Sequence, residues 1–156
     1  MNVDDLLWYV DVALDGLVAA VEALGDELVN ERPDLPGANT PHQIVFHCCG
    51  VMTWWGGHVV AGRAVERDRS AEFRSSGAVA GLLDRVRSVR AAFGDDVAGA
   101  DLAAPPRGHV DEADRATPLG RTQGGVLVHV VEELFQHLGQ LELTRDVLLR
   151  GRTVQP

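Results

Sequence analysis

The sequence predicts an all-α protein that folds as one four-helix bundle domain over residues 1–156. Two observations support this fold class. Apolar residues recur every three or four positions in four separate stretches, each of about 20 to 28 residues, as on the buried face of a helix. Segments rich in proline, glycine and polar residues separate these stretches, and none alternates apolar and polar residues as a half-buried strand does. Amphipathic helices of this kind pack most simply as a bundle.

The first helix is predicted from about Val3 to Asn30. Its apolar residues follow one another at helical spacing: Leu6, Tyr9, Val10, Leu14, Leu17, Val21 and Leu24. Three prolines and a glycine in the stretch ERPDLPGANTP, residues 31–41, end this helix.

The second helix has a clear start signal. Thr40 is a good N-cap, Pro41 suits the first helical position, and Gln43 completes a capping box. We expect this helix to continue to about Arg63, although two glycines at positions 56 and 57 weaken its far end.

Two more helices follow, from about Ser75 to Val97 and from about Thr122 to Leu149, each with an apolar stripe. The polar connection between them, residues 99–121, has no helical or strand period. A loop of this length in a compact domain is more often a lid or a site wall than filler. We therefore expect it beside a ligand site.

The composition excludes several classes of function. The net charge is −9 and the pI about 5.0, whereas binding to nucleic acids or anionic membranes requires clustered Lys and Arg. No apolar run approaches the ~20 residues of a membrane span, and the acidic start MNVDDLLWYV differs from a signal peptide. We expect a cytoplasmic protein that acts on a small molecule, with Cys48 and Cys49 buried in its core.

The candidate chemistry lies on the last helix. His129, Glu133, His137 and Gln140 form one stripe that borders its apolar face. Glu133 and His137, four residues apart, can reach the same ion. A carboxylate beside the core is also costly unless it is paired or bound to a cation. The spacing alone does not decide, because an exposed Glu–His pair on a helix gives the same pattern.

A histidine of the second helix strengthens the metal hypothesis. His47 shares a face with the apolar residues Ile44, Val51 and Trp55. A lone histidine there is more often a core residue, but here the other helix carries a carboxylate that needs a partner. His47, Glu133 and His137 give three protein ligands and leave a position open, as in catalytic zinc sites. His129 lies one turn before Glu133, where it could be a ligand, a partner of a ligand or a proton shuttle.

These two helices resemble those of the DinB/YfiT-like superfamily. The stretch VLVHVVEELFQHLGQLELTRDVL, residues 126–148, is similar to the superfamily's last helix, which tends to read H-x3-H-x3-HRGQ. The stretch NTPHQIVFHCCGVMTWWGGHVVAGR, residues 39–63, is similar to its second helix, with His47 at the metal-binding histidine. The order of the four predicted helices also fits, so the resemblance covers nearly the whole chain.

The resemblance implies an up-down-down-up bundle, frequent homodimers, and a divalent ion, often zinc or nickel, on His47, Glu133 and His137. Glu133 stands where the superfamily usually has histidine, and Leu138 where it has arginine. A His/Glu/His set is similar to that of the mycothiol-dependent maleylpyruvate isomerase branch. That isomerase carries a second domain after the bundle, for which we expect no room in this chain.

The activity that the resemblance implies is thiol S-transfer with a cofactor such as mycothiol or bacillithiol. We expect His129 to act as an acid/base, and Trp55 and Arg121 to contact the cofactor, although core packing is the alternative role for Trp55. Arg107, Arg115 and Arg121 are expected to attract an anionic substrate. Two alternatives stay open: a metal-dependent hydrolase, and a non-catalytic, stress-related dimer that only binds metal. Apolar residues on more than one side of helices one and four also favour a homodimer: Leu7, Val12, Val131 and Leu149.

Overall fold

The computed structural model describes residues 2–153, with side chains described for residues 2–151. This part of the chain is all-helical and contains no β-strand. The helices are α1 Val3–Leu28, α2 Pro41–Met52 continued by a π-helical segment Thr53–Val60 (the π segment), α3 Arg69–Glu72, α4 Val79–Val97, α5 Pro118–Arg121 and α6 Gln123–Thr153. No helix within the described residues has the length and apolar character needed to cross a membrane.

One hydrophobic core joins the four long segments. α1 lies beside α4 and α6, and α2 with the π segment lies beside the same two helices. Each contributes fully or nearly fully buried side chains, among them Leu17, Met52, Phe93 and Leu134. Burial of one such side chain stabilises the fold by about 1.5–3 kcal/mol. The same packing sets α2 against α6, the two helices that carry the predicted ligands.

The predicted start of the second helix is confirmed. The Thr40 hydroxyl accepts a hydrogen bond from the Gln43 N–H at 3.2 Å, and the Gln43 side chain accepts one from the Thr40 N–H at 3.0 Å. The first helix also starts as predicted and ends at Leu28, two residues before the predicted Asn30. Gly25, with a φ of 64°, interrupts its helical geometry before that end.

The far end of the second helix corrects the prediction of a continuous α-helix to Arg63. The chain widens into the π segment at Thr53, and the segment ends at Val60. A Cβ at Gly56 would lie 2.4 Å from the Phe93 ring, so the missing side chain lets α4 pack on the bare backbone. Short π-helical stretches are frequent at functional sites, and this one carries Trp54 and Trp55.

The third predicted helix starts four residues late, at Val79 instead of Ser75. Two side chains near the end of α1 bind the backbone at residues 77 and 79, where the helix was predicted to have begun already. The Asn30 side chain accepts from the Gly77 N–H at 3.0 Å, and the Asp26 carboxylate accepts from the Val79 N–H at 2.7 Å. Two short helices, α3 and α5, occur where the sequence predicted none.

The two cysteines are buried as predicted. Cys48 and Cys49 are each 1% exposed, and both are free thiols. Burial raises the pKa of the Cys49 thiol to about 11, although the nearby Arg85 guanidinium opposes the rise. Burial also raises the pKa of Cys48, and the neighbouring Cys49 and Glu133 add to that rise.

We expect native Cys49 to resist alkylation by iodoacetamide at pH 8. A pKa of about 11 leaves about one thiol in a thousand as the reactive thiolate at that pH, and burial blocks access as well. Alkylation in guanidinium chloride should be at least about two hundredfold faster, because an exposed thiol has a pKa near 8.5 and is about a quarter thiolate at pH 8. Mass spectrometry of tryptic peptides measures both rates, and equal rates would contradict the buried assignment.

Candidate metal centre

Three predicted ligands converge between α2 and α6. The Glu133 Oε2 atom lies 3.5 Å from Nε2 of His47 and 3.5 Å from Nε2 of His137. The two imidazole rings are almost perpendicular, with centroids 4.7 Å apart. One ligand atom from each residue lies within 4.8 Å of the others, so the three groups could hold one ion.

The distances from Glu133 to the two histidine nitrogens fit ligands of a shared ion better than direct hydrogen bonds. An N–H···O bond between these groups would be about 2.7–3.2 Å long, shorter than the two distances of 3.5 Å. Ligands about 2.0–2.1 Å from a tetrahedral zinc ion lie about 3.3 Å from one another. The donor set, two imidazoles and a carboxylate, is also one that zinc accepts.

Both imidazoles are oriented by hydrogen bonds on the opposite ring nitrogen. The His47 Nδ1–H donates to the Glu72 carboxylate at 2.7 Å, and the His137 Nδ1–H donates to the Gln140 amide oxygen at 2.9 Å. With Nδ1 as the donor in each ring, Nε2 is the nitrogen that a neutral imidazole offers to a metal, and both Nε2 atoms face Glu133. A hydrogen bond of this kind on the second nitrogen is typical of histidines that bind metal.

Glu72 is the site residue that sequence reasoning missed. It lies at the end of α3 and is 3% exposed. Burial favours a raised pKa for this carboxyl, but the hydrogen bonds from Arg67 and His47 outweigh it and hold the pKa below its ordinary value. No periodicity marks the stretch 64–74, so nothing in the local sequence distinguishes Glu72 from a surface acid.

His129 lies next to this group, one turn earlier on α6. Its Nδ1–H donates to Glu132 at 2.9 Å, and its Nε2 lies 4.0 Å from the other Glu133 oxygen. Its ring packs perpendicular to that of Trp55, with centroids 5.1 Å apart. His129, Glu132 and Glu133 form a second group that could hold an ion, but Glu132 is exposed.

A cleft of about 230 Å³ lies beside the candidate centre. None of the three candidate ligands lines it, but two wall residues contact neighbours of those ligands: Trp55 meets His129, and Arg67 bonds to Glu72. The complete wall is Trp54, Trp55, Arg67, Arg69, His109, Val110, Asp111 and Asp114. Four of these residues belong to the connection 99–121, which the sequence predicted beside a ligand site.

The predicted cationic residues are placed differently. Arg107, Arg115 and Arg121 are exposed and do not line the cleft in the described structure, whereas Arg67 and Arg69 do. His58 is also apart from the candidate ligands. It stacks on Trp54, and its Nδ1–H donates to a backbone carbonyl oxygen at 2.9 Å.

The chain was compared with known proteins. The family model of mycothiol-S-transferases matches residues 5–149, nearly the whole chain. No protein of curated function matches it. The match agrees with the resemblance of α2 and α6 to the DinB/YfiT-like superfamily, and with the His/Glu/His group between them. The chain belongs to the mycothiol-S-transferase family.

Proposed function

We propose that this protein transfers the sulfur of mycothiol to an electrophilic small molecule, with a divalent ion on His47, Glu133 and His137. One observation carries the proposal. Both imidazoles donate from Nδ1 to a protein acceptor and direct Nε2 at Glu133 from 3.5 Å, a geometry prepared for a cation. Imidazole and carboxylate ligands suit zinc and nickel.

The proposed site keeps one side open for a thiol. His47 is buried, but the side chains of Glu133 and His137 are 24% and 20% exposed. Three protein ligands leave a fourth position. The ion would bind the thiol sulfur there and lower its pKa, so that the thiol reacts as a thiolate.

The charge of the ligand set favours a thiolate at that position. Two neutral imidazoles and one carboxylate leave a divalent site with a net charge near +1, which a thiolate neutralises. We propose that His129 takes the thiol proton or returns one to the leaving group. Glu132 holds its Nδ1–H, so its Nε2 is the acceptor and faces the centre.

The cleft beside the centre is proposed to bind the partner molecules. Trp54 and Trp55 offer flat apolar surfaces, and Arg67 and Arg69 offer positive charge for an anionic group. In the transfer, the sulfur forms a bond to an electrophilic carbon, and the leaving group departs with the electron pair. Trp55 lies between the cleft and His129, which suits a residue that contacts both cofactor and substrate. A contact of Arg121 with the cofactor stays a prediction.

Cobalt absorption tests the proposed transferase chemistry. Protein loaded with Co²⁺ should develop a sulfur-to-metal charge-transfer band as mycothiol is added, because the thiolate becomes a ligand. His129→Asn should bind cobalt and thiol but transfer the sulfur more slowly, by about 100-fold or more, as expected for loss of an acid/base. If neither mycothiol nor bacillithiol changes the spectrum at millimolar concentration, the transferase proposal fails and hydrolytic or purely structural metal binding replaces it.

We also propose that the four long segments form a single domain with the up-down-down-up topology, and that the protein is a homodimer. Trp8, Tyr9 and Phe135 are 61%, 47% and 38% exposed on α1 and α6, and Tyr9 lies against Phe135 with ring centroids 6.5 Å apart. Aromatic residues exposed together are typical of interfaces between proteins.

Light scattering at micromolar concentration should therefore give twice the 16.8 kDa mass of the chain. Trp8→Glu should shift the mass toward one chain, because it places a charge within the aromatic patch. The matched control is Leu35→Glu, at another exposed apolar residue outside the helices. A wild-type mass of 16.8 kDa would refute the dimer.

A further inference from the structure

The Glu72 carboxylate is buried against α2 and is fully engaged. It accepts from His47 Nδ1 at 2.7 Å, from Arg67 Nε at 2.7 Å and from Arg67 Nη2 at 3.1 Å. A buried carboxylate is costly unless it is paired and hydrogen-bonded. Here the guanidinium spans both oxygens in a bidentate pair, and the remaining contact goes to a candidate metal ligand.

The short helix that carries Glu72 is capped before this contact and tied to α2 after it. Before it, Asp68 caps α3 by accepting from the Ala71 N–H at 3.0 Å. After it, the Phe73 carbonyl accepts from the Gln43 side chain at 2.8 Å. The Phe73 ring also stacks on the His47 imidazole, with centroids 5.3 Å apart. These contacts hold both Glu72 and the His47 ring in place.

Gly50 provides the space that the carboxylate occupies. It lies on α2 three residues after His47, so the two positions share a helix face. A Cβ at this position would lie 2.3 Å from Glu72 Oε1 and 2.7 Å from Glu72 Cδ. Any side chain on residue 50 would overlap the Glu72 carboxylate and displace it from His47. Arg67 binds both carboxylate oxygens, so the carboxylate cannot shift without also losing contacts to Arg67.

We infer that Glu72 is a positioning residue for His47: it holds the proton on Nδ1 and thereby presents Nε2 to the ion, while Arg67 and Gly50 hold Glu72 in place. The inference rests on the proposed metal centre and adds a residue to it. A neutral imidazole can carry its proton on either nitrogen, and only the Nδ1–H form leaves Nε2 free to bind metal at this site. A carboxylate partner also makes the imidazole a stronger donor.

The substitution Glu72→Gln would remove the carboxylate that holds the proton on His47 Nδ1. Arg67 has only donors, and it spans both oxygens of the native carboxylate. In Glu72→Gln, one of those oxygens becomes an NH₂ group. If the amide oxygen faces Arg67, the NH₂ group donates to His47 Nδ1 and drives the ring proton to Nε2. Zn²⁺ can then bind Nε2 only after the ring proton has moved back to Nδ1.

Zinc affinity of the full chain, measured by competition with a chelating dye, tests the inference. Glu72→Gln should bind Zn²⁺ about 10- to 100-fold more weakly, the usual effect of removing the hydrogen-bond partner of a ligand. Gly50→Ala should weaken binding in the same direction, although alanine is the better helix former. Glu66→Gln is the matched control, because it neutralises an exposed glutamate in the same connection and should leave zinc binding unchanged.

A second readout separates positioning from a general loss of structure. Long-range ¹H–¹⁵N NMR spectra of the metal-free protein should show His47 with its proton on Nδ1, and Glu72→Gln should populate the Nε2–H form. Unchanged zinc affinity and an unchanged tautomer in both Glu72→Gln and Gly50→Ala would overturn the inference alone. A wild-type protein that binds no Zn²⁺ would overturn the proposed metal centre, and the role of Glu72 with it.

Discussion

His47→Ala and His137→Ala are each expected to lower bound zinc to less than about a tenth of the wild-type content, because two protein ligands hold the ion poorly where three are needed. The two residues lie on different helices, and the Nε2 atom of each lies 3.5 Å from Glu133. Equal losses of zinc in both variants would therefore indicate that the two histidines bind the same ion. Elemental analysis of untagged protein gives the metal content directly.

Two further variants make this test specific. His58→Ala should keep its metal, because His58 stacks on Trp54 and donates to a backbone carbonyl away from the centre. Glu132→Gln should also keep it, because Glu132 belongs only to the second group around His129. Loss of metal in Glu132→Gln together with retention in His47→Ala would show that the ion binds to the second group instead.

Glu133→Gln should weaken zinc binding on the order of 100-fold, equivalent to about 3 kcal/mol. The substitution keeps the shape of the side chain but removes the negative charge that faces both Nε2 atoms at 3.5 Å. Where an ion remains, the net charge of the site is about one unit more positive, so we expect a bound thiol to lose its proton at a lower pH than in the wild type.

The measurements are zinc competition with a chelating dye and the pH dependence of the cobalt–thiol absorption band. Glu142→Gln is the matched control, since Glu142 is an exposed glutamate on the same helix. Equal zinc affinities for Glu133→Gln and Glu142→Gln would exclude Glu133 as a ligand.

The start of α2 and the ligand pair on α6 could be predicted, because both depend on residues close together in the sequence. The capping box of Thr40 and Gln43 fixes the start of α2, and helical spacing alone places Glu133 and His137 on one face of α6. The pairing of α6 with His47 follows from the need of a half-buried carboxylate for a partner.

The parts that could not be predicted depend on contacts distant in sequence. The late start of α4 results from hydrogen bonds to Asn30 and Asp26, about 50 residues away. The π segment forms where Phe93 packs against the bare backbone of Gly56. Glu72 becomes a site residue only because the fold brings α3 onto α2, and no local pattern encodes that contact.

We propose that an ion on His47, Glu133 and His137 binds the sulfur of mycothiol. Zinc K-edge X-ray absorption of the wild-type protein, with and without mycothiol, tests it most directly. We predict only nitrogen and oxygen ligands at about 2.0–2.2 Å without thiol, and one added sulfur at about 2.3 Å with it. A zinc environment that shows no sulfur at saturating mycothiol would contradict the claim.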